Sequence, residues 1–404
     1  MRCASCGATV GHEFFCTILA THHTEYEMYT LADYASMMAD ATRIDAYAAA
    51  LQHAVQTDSV VADLGAGIGT FALLAARFGA RKVYAIEPDD AIDLGRSIAA
   101  ASGLADRITF VQGRSTEAIL PERATIVVSD MRGTLPFYEQ HLPSIADARE
   151  RLLVKGGVLI PRRDRLWAAI VEAPDLYAGH VAPWRQRTHG LDLRSAEEML
   201  ANTWRRIRLT PELLLSELQC LATLDYHDIA KPDLDVEGTW TATRTGAGHG
   251  LCVWFDSELV DGVGFSNAPG QPQAIHGQAF FPFSEPVALC KGERIPVRLQ
   301  ADLVGDDYLW RWTSRGRTQS TLHGAPLGTA RLQRGTAGHV PVLTIEGEID
   351  LYVLTRMRES IPLGDIASEL LSRFPSALRD RNAALGRAGE LARKYSKEIP
   401  ATST

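Results

Sequence analysis

The fold is decided by two neighbouring stretches, VVADLGAGIGT at residues 60–70 and RKVYAIE at residues 81–87. The apolar run at 60–62 is typical of a strand buried on both faces, and the three glycines that follow let the chain turn tightly against a ligand. A helix over 70–77 then leads to a second strand. Glu87 ends that strand, where a doubly wound fold places the carboxylate that accepts hydrogen bonds from ribose hydroxyls. The sequence therefore predicts a site for a nucleoside-containing cofactor.

The spacing of the glycines separates this turn from a dinucleotide site. In G-A-G-I-G the third glycine comes one residue earlier than in G-x-G-x-x-G. In that pattern the third glycine lets the helix pack close to the strand while the N-terminus of the helix faces a pyrophosphate. With Asp63 before the turn, the stretch resembles the D-x-G-x-G-x-G motif of class I methyltransferases, whose donor is S-adenosyl-L-methionine. A glycine turn could also be purely structural, but Glu87 at the end of the next strand favours a ligand site.

Length and charge limit the classes of protein to which the chain can belong. Its 404 residues, 46% of them hydrophobic, are enough for two or three packed units. A formal net charge of -8 argues against a general nucleic-acid surface. No apolar run approaches the roughly 20 residues of a membrane span, and the N-terminus lacks a signal segment. We therefore expect a cytoplasmic protein without a nucleic-acid or membrane partner.

The six cysteines fall into two groups. Three are isolated in apolar surroundings that are typical of reduced core thiols. The others belong to an N-terminal set, Cys3, Cys6, His12 and Cys16, which could offer four tetrahedral zinc ligands. One C-x2-C pair is weak evidence, and a disordered leader over residues 1–25 is the alternative interpretation. We therefore assign no metal site.

The pattern of the chain changes several times, which indicates several domains. Helical periodicity comes first, and strand and helix patterns then alternate as in an open parallel sheet. From about residue 166 the strands follow one another as in an antiparallel barrel or sandwich. The predicted organisation is a Rossmann-like α/β domain with N-terminal helices at 26–165, an antiparallel β-barrel domain at 166–335 with an inserted helical arm at about 184–218, and a C-terminal helical module at 341–398.

A longer stretch, SDMRGTLPFYEQHL at residues 129–142, resembles the double-acid loop of the protein arginine methyltransferases, S-E-x-M-G-x-x-L-x-x-E. The resemblance covers roughly residues 26–325 and includes GRSTEAILP at 113–121, ARERLLVKGGVLIP at 148–161 and GFSNAPGQP at 264–272. It implies a methyl-donor domain, a β-barrel, and an inserted arm that docks head to tail to form a homodimer. The C-terminal module looks like small winged-helix units that recognise peptides, with a packing role as the alternative.

The resemblance also implies which residues bind the donor, S-adenosyl-L-methionine. From its carboxylate to its adenine edge they are Arg43, Met37, Asp63, Gly65, Gly67, Glu87, Thr116 and Glu117. Arg43 would bind the carboxylate, Met37 would pack near the sulfonium, and Glu87 would hold the ribose hydroxyls. Arg43 and Met37 could equally be ordinary surface and core residues.

Asp130 and Glu139 take the two acid positions that grip the substrate guanidinium in the family, and Tyr34 is implied to contact the substrate. A guanidinium is planar, carries five N–H donors and stays protonated in water, so carboxylates must hold it and localise its charge away from the attacking nitrogen. Methyl transfer is an in-line displacement, so alignment in a dry site should supply most of the catalysis. Without the resemblance, Asp130 could simply end a strand and Glu139 begin a helix.

Several positions depart from the family pattern. Asp130 is one methylene shorter than the usual glutamate, and Arg132 replaces the usual methionine. A cation at 132 could bind a substrate carboxylate, or it could form a salt bridge with either acid. In the loop that the family writes T-H-W, Ile275 stands at the histidine and His276 at the tryptophan. Asp40 matches the aspartate of the catalytic dyad, and it could pair with His276 if the loop slips by one residue.

These departures bear on the acceptor more than on the donor. We predict an S-adenosylmethionine-dependent N-methyltransferase that acts on a guanidino group of a small molecule, such as free arginine or a biosynthetic intermediate, whose carboxylate would reach Arg132. Arginine in a protein or peptide is the alternative within the enzyme class. From another class, a non-catalytic scaffold that kept the fold and lost turnover would also explain the altered acid loop.

Overall fold

The computed structural model describes residues 29–185, 188–325 and 338–396. It divides the chain into two compact units, one within residues 1–332 and one within residues 333–404. The cysteine and histidine set at 3–16 lies outside the described residues, as do the first residues of the predicted donor domain. In the part of the chain that is described, no helix is both long and apolar enough to cross a membrane.

The first half of the larger unit is a parallel α/β layer. Its elements are α1 (Leu31–Ala39), α2 (Ala41–Ala54), β1 (Val60–Leu64), α3 (Thr70–Arg77), β2 (Lys82–Glu87), α4 (Ile92–Ala101), β3 (Ile108–Gln112), β4 (Ala124–Ser129), α5 (His141–Arg151) and β5 (Leu153–Ile160). The five parallel strands have the order β3-β2-β1-β4-β5. All five residues of β1 are buried, as expected for a central strand of such a sheet. The predicted Rossmann-like domain is confirmed.

Within the described residues, two helices precede the sheet and meet at Asp40. α1 begins at a capping box, in which the Thr30 hydroxyl and the Asp33 carboxylate each accept a hydrogen bond from the other residue's amide. No residue of α1 is buried, so this helix adds no fully buried side chain to the core. Asp40 ends α1 and caps α2 by accepting from the amide of Arg43 at 3.1 Å. The cap fixes Arg43 in the first turn of α2.

The second half of the unit consists mainly of antiparallel strands. They are β6 (Arg163–Val171), β7 (Arg205–Ile207), β8 (Gln219–Asp225), β9 (Leu234–Thr241), β10 (Gly246–Val260), β11 (Val263–Ser266), β12 (Gln278–Leu289), β13 (Arg294–Val304), β14 (Asp307–Ser314) and β15 (Arg317–Ser320). One sheet has the order β7-β12-β10-β6-β8 with β11 paired to β10, and the other has the order β15-β14-β13-β9. The indole side chains of Trp240, Trp310 and Trp312 are buried in the core. This is the barrel-like domain that the alternating pattern predicted.

The helical arm begins earlier and ends earlier than its sequence predicted. Helices α6 (Pro174–Arg185) and α7 (Arg194–Leu200) lie between β6 and β7. Residues 205–207, which the prediction of 184–218 placed within the arm, form β7 and pair with β12 at the edge of its sheet. An edge strand tolerates charged side chains, so the arginines of this segment, which suggested a helix surface, are compatible with a strand.

The described part of the C-terminal unit contains three helices, α8 (Ile345–Arg358), α9 (Leu363–Arg373) and α10 (Arg381–Tyr395). One buried cluster joins them and includes Val353, Ile366 and Leu391. α8 begins at Thr344, whose hydroxyl accepts from the amide of Gly347 at 3.2 Å. No strand occurs within residues 338–396, so the described stretch lacks the hairpin that a winged helix requires. The helical prediction agrees with the structure, and the winged-helix interpretation does not.

Candidate active site

Three strands of the parallel sheet deliver their carboxyl ends to one edge. In register, Leu64 at the end of β1 lies opposite Ile86 of β2 on one side and Ser129 of β4 on the other. The glycine turn, Glu87 and Asp130 follow directly after these positions. Because an open α/β sheet binds its ligands at this edge, the elements that carry the predicted site residues meet where a cofactor is expected.

Glu87 is fixed by the backbone at both carboxylate oxygens. Oε2 accepts from the amide of Gly67 at 2.8 Å, and Oε1 accepts from the amide of Asp89 at 2.9 Å. Burial raises the pKa of Glu87, while the two amide bonds act in the opposite direction. Each oxygen of a carboxylate has a second lone pair, so ribose hydroxyls can bind without displacing the amides.

Gly65 and Gly67 let two side chains approach the turn closely. Their φ angles are 64° and 54°, a conformation that other residues rarely adopt. A Cβ on Gly65 would lie 2.6 Å from Cγ of Met131, and one on Gly67 would lie 2.8 Å from Cε1 of Tyr34. Tyr34, which we predicted to contact the acceptor, therefore lies against the glycine turn, on the donor side of the site.

Arg43 combines fixed hydrogen bonds with one unused donor. Its Nη1 donates to Asp130 at 2.6 Å, and its Nη2 donates to the carbonyl of Met37 at 2.8 Å. Its Nε is buried and has no hydrogen-bond partner among the described residues. A buried donor of this kind calls for a ligand or an ion. The arrangement fits the carboxylate of the predicted donor.

Thr116 and Glu117 are exposed in the loop after β3. Arg151 of α5 anchors this loop, because its guanidinium donates to the backbone carbonyls of Ser115 and Ala118 on either side of the pair. The backbone of the predicted adenine edge is therefore held in place, while both side chains face solvent.

Asp63 is a buried acid with one satisfied and one unsatisfied oxygen. Its Oδ2 accepts from the amide of Ala72 at 2.9 Å, and its Oδ1 has no partner among the described residues. Burial raises the pKa of Asp63 to about 8, and the charges of Glu87 and Asp130 act in the same direction. The carboxyl group is therefore mostly protonated at neutral pH.

Replacing Asp63 by asparagine should flatten the pH dependence of stability. Because the folded pKa of about 8 lies above the ordinary carboxyl value, the folded chain binds this proton more tightly than the unfolded chain. That contribution to stability is complete below the unfolded pKa and is lost as the pH rises toward the folded one. The variant stays neutral, so its free energy of unfolding should fall less between about pH 5 and about pH 8. Urea unfolding at both pH values tests this, and equal decreases would contradict it.

Asp130 is enclosed between two arginines. Its Oδ2 accepts from Arg43, and its Oδ1 accepts from Nε and Nη2 of Arg132 at 3.2 and 2.9 Å. Only 5% of its side chain is exposed. Burial alone would raise the pKa of Asp130, but the charges of Arg132 and Arg43 outweigh burial and hold that pKa far below its ordinary value. The first predicted acid is thus ionised, and the protein itself binds both of its oxygens.

Glu139, the second predicted acid, is exposed, and its backbone adopts an uncommon conformation. Its φ of 42° lies in the left-handed region that residues other than glycine seldom occupy, and such positions cluster at functional sites. Burial raises the pKa of the neighbouring Tyr138 phenol, and Tyr29 and Glu139 act in the same direction. Within the described residues, the ion pairs of the acid loop involve Asp130 and not Glu139. Glu139 is therefore the acid that can meet an incoming cation.

Arg132 is a buried cation whose donors are all occupied. Its Nη1 donates to Asp164 at 2.9 and 3.1 Å and to Ser257 at 2.6 Å. Its Nη2 donates to Tyr47 at 2.7 Å as well as to Asp130, and its side chain has no exposed surface. No N–H group remains for a substrate carboxylate, so the predicted substrate contact of Arg132 is wrong. The alternative that we considered, a salt bridge to Asp130, is present.

The side chain of His276 is not hydrogen-bonded to Asp40 in the described residues. Instead, Asp40 accepts from the amide of Ile275 at 2.7 Å. The imidazole is buried against Phe265 and Phe255, with ring centroids 5.8 and 5.3 Å away, and its Nδ1 has no partner among the described residues. Burial lowers the pKa of His276 to about 4, so the ring is neutral near pH 7. Asp40 thus binds the backbone of this loop and does not pair with a histidine side chain.

Comparison with known proteins shows which sequences this chain resembles. Residues 162–306 match the arginine methyltransferase oligomerization subdomain. The chain is 31% identical to a probable histone-arginine methyltransferase 1.3 of Arabidopsis thaliana, over 65% of this chain and 52% of that protein. It is 29% identical to an arginine N(omega)-methyltransferase of Streptomyces achromogenes subsp. streptozoticus, over 65% of this chain and 74% of that protein. The chain is therefore similar in sequence to arginine methyltransferases, and part of it matches their oligomerization subdomain.

Solved structures share the fold of this chain. A chain of the Trypanosoma brucei PRMT1 enzyme-prozyme heterotetrameric complex with AdoHcy matches with a TM-score of 0.67 at 21% identity, over 71% of this chain and 96% of that one. Protein arginine methyltransferase 10 of Arabidopsis thaliana matches with a TM-score of 0.64 at 21% identity, over 76% and 99%. The chain spans about half the length of the plant relative that it matches over 282 residues.

The sequence did not predict which side chains accept hydrogen bonds from Arg132. Asp164 and Ser257 lie opposite each other on β6 and β10, and the Tyr226 hydroxyl donates to Asp164 at 2.6 Å. These residues come from the barrel-like half of the unit, so no local motif connects them with the acid loop. One signal was available, because an arginine that is buried must find a counter-charge. The sequence does not say which of the many acids supplies it.

Proposed function

We propose that this methyltransferase transfers a methyl group from S-adenosyl-L-methionine to a guanidino nitrogen of a small molecule, such as free arginine or a biosynthetic intermediate. The observation that carries the acceptor side is Glu139, an exposed carboxylate held in a left-handed backbone conformation next to the donor-binding edge. A small acceptor is supported by the Streptomyces relative, named an arginine N(omega)-methyltransferase, which aligns over 74% of its length.

Different residues of the proposed donor site bind different groups of this ligand. S-adenosyl-L-methionine supplies an electrophilic methyl group on a sulfonium. Arg43 offers its Nε, which has no hydrogen-bond partner among the described residues and lies 3.9 Å from Asp40, to the donor carboxylate. Glu87 offers its remaining lone pairs to the ribose hydroxyls. Both side chains are anchored by other hydrogen bonds before a ligand arrives. The chain therefore contributes a site that is oriented in advance, which lowers the cost of aligning the reacting atoms.

On the acceptor side, Glu139 holds the guanidinium through charge-assisted hydrogen bonds. Its negative charge draws the positive charge of the acceptor toward the bound nitrogens and leaves electron density on the nitrogen that attacks. The N–C bond forms as the S–C bond breaks, and the attacking nitrogen then loses a proton, which the Glu139 carboxylate can accept. Tyr138 precedes Glu139 in the loop, and Tyr29 lies beside it.

Two other acceptors or roles remain to be separated by experiment. An arginine in a protein or peptide is supported by the plant relatives, which are named probable histone-arginine methyltransferases. Incubation with labelled donor and a panel of arginine, guanidino metabolites and arginine-rich peptides, read by mass, distinguishes the two acceptor classes. Donor binding without transfer to any member of the panel would contradict the proposed function and favour a non-catalytic scaffold.

Replacing Glu87 by glutamine should weaken donor binding by about 10-fold to 100-fold, the usual effect of removing a charged hydrogen-bond partner. An amide side chain has a single acceptor oxygen, and its NH2 group would face the amide of Gly67 or Asp89. Calorimetric titration with S-adenosylhomocysteine measures the effect. Glu122→Gln is the matched control, because that exposed carboxylate pairs with Arg81. Equal affinity in both variants would remove Glu87 from the donor site.

We also propose that the protein forms a homodimer through the arm formed by α6 and α7. The matched subdomain, described as an oligomerization subdomain, includes both helices. The Trypanosoma brucei relative is described as part of a heterotetramer. Sedimentation analysis of the full chain tests the proposal, and a monomer at micromolar concentration would contradict it.

A further inference from the structure

We propose that Arg132 is a positioning residue that commits Asp130 to the protein, so that the acceptor guanidinium is gripped by Glu139 alone. This inference rests on the function proposed above and deepens it. In this inference one acid, and not two, binds the acceptor guanidinium. Arg132 causes this change because it keeps Asp130 occupied.

The first step of the argument is the occupancy of Asp130. One of its oxygens accepts from Arg43 and the other accepts twice from Arg132, and its side chain is almost completely buried. Two positive charges therefore already lie against this carboxylate. A third cation, the acceptor, would meet their repulsion in a poorly solvated place.

The second step is that Arg132 cannot turn away when the acceptor arrives. Its guanidinium is fixed by Asp164, Ser257 and Tyr47, and it lies 5.1 and 5.3 Å from the ring centroids of Phe255 and Phe265. Releasing Asp130 would require the whole group to leave this enclosure. The counter-ion is fixed as well. Asp164 has no exposed side-chain surface and accepts from Tyr226, whose hydroxyl lies 3.1 Å from Nε2 of His141.

The third step is the contrast with Glu139. Glu139 is exposed and forms no ion pair within the described residues, and its neighbour in the chain is the neutral phenol of Tyr138. Tyr29 lies beside this group: burial raises the pKa of its phenol, and the charges of Glu139 and Asp130 act in the same direction. A guanidinium that enters beside Asp130 therefore finds one carboxylate without a charged partner, together with two phenolic hydroxyls as neighbours.

The test compares Glu139→Gln in two backgrounds. In the natural background the substitution should lower kcat/KM for the acceptor by about 100-fold or more, because the only available acid is lost. The double variant R132M,D164N removes the cation together with its buried counter-ion and frees one oxygen of Asp130. In that background Asp130 can take over, so Glu139→Gln should cost only about 10-fold, a non-additivity that a purely structural role of Arg132 would not produce.

A second readout is the acceptor KM of the double variant itself. It should fall by about threefold or more at saturating donor while kcat and donor affinity stay nearly unchanged, because a second acid then contributes to binding. D164N alone is the matched control, since Arg132 keeps its bonds to Asp130 and the acceptor KM should not fall. Equal losses from Glu139→Gln in both backgrounds, with an unchanged acceptor KM, would overturn the inference.

Should the double variant not fold, Asp130→Asn provides the same comparison. At saturating donor it should change the acceptor KM by less than about threefold, whereas Glu139→Gln should not be rescued by any acceptor concentration. A loss as large as that of Glu139→Gln would show that Asp130 grips the acceptor and would overturn the inference. If the natural protein methylates no guanidine, both proposals fail. If it does, these outcomes concern the role of Arg132 alone.

Discussion

Replacement of Glu139 by glutamine is expected to reduce transfer to a guanidino acceptor by about 100-fold or more while leaving the affinity for the donor nearly intact. In the proposed mechanism the acid contacts the acceptor cation directly, and its charge shapes the electron distribution of the attacking group. A glutamine has nearly the same shape but offers one neutral acceptor oxygen. Its NH2 group would also point toward the acceptor's own N–H donors.

Two measurements separate this effect from a loss of structure. Labelled methyl transfer gives kcat/KM, and calorimetric titration with S-adenosylhomocysteine gives the donor affinity of the same preparation. Glu150→Gln on α5 is a suitable control, because that side chain is 77% exposed. Transfer by the Glu139 variant at the rate of the control would eliminate Glu139 from the acceptor site.

The second large effect concerns stability. Arg132→Met should reduce the free energy of unfolding by about 3–5 kcal/mol, the usual cost of breaking a buried ion pair on one side. Asp164 has no exposed side-chain surface, so its carboxylate would lose its cation without gaining water. Asp130 is less affected because it keeps its bond of 2.6 Å to Arg43. Urea unfolding of the variant and the natural protein, followed by circular dichroism, measures the difference.

The natural control for this prediction is R132M,D164N. Removing the orphaned charge as well should restore a large part of the lost stability, since a neutral amide can still accept a hydrogen bond from Tyr226. A double variant less stable than Arg132→Met would mean that the cost comes from lost packing against the aromatic rings and not from the unpaired carboxylate.

Local patterns predicted the donor half of the site because its geometry follows from the parallel sheet. The ends of β1, β2 and β4 are adjacent whenever these strands pair in the usual order, so Glu87 and the glycine turn could be placed together from the sequence. The acceptor half depends on residues distant in the chain. The counter-charge of Arg132 comes from β6 and β10, and the backbone conformation of Glu139 leaves no signature in its residue type.

The boundaries of the arm were misjudged for a related reason. A short charged strand at a sheet edge and a charged helix face have similar compositions, and only the pairing of β7 with β12 separates them. The His276 loop is a further case. Its sequence suggested a shifted dyad, whereas the structure satisfies Asp40 through a backbone amide that no side-chain pattern can reveal.

Asp40 links the two halves of the larger unit, so a change at this residue affects both halves. One of its oxygens accepts from the amide of Arg43 and the other accepts from the amide of Ile275. A single carboxylate therefore sets both the start of the helix that carries the donor-binding arginine and the path of the loop on the barrel side. On the proposed function, we expect a substitution at this position to change the kinetics of the methyl donor and of the acceptor together. Attempts to retarget the acceptor by remodelling the loop should leave Asp40 and the backbone at 275 untouched.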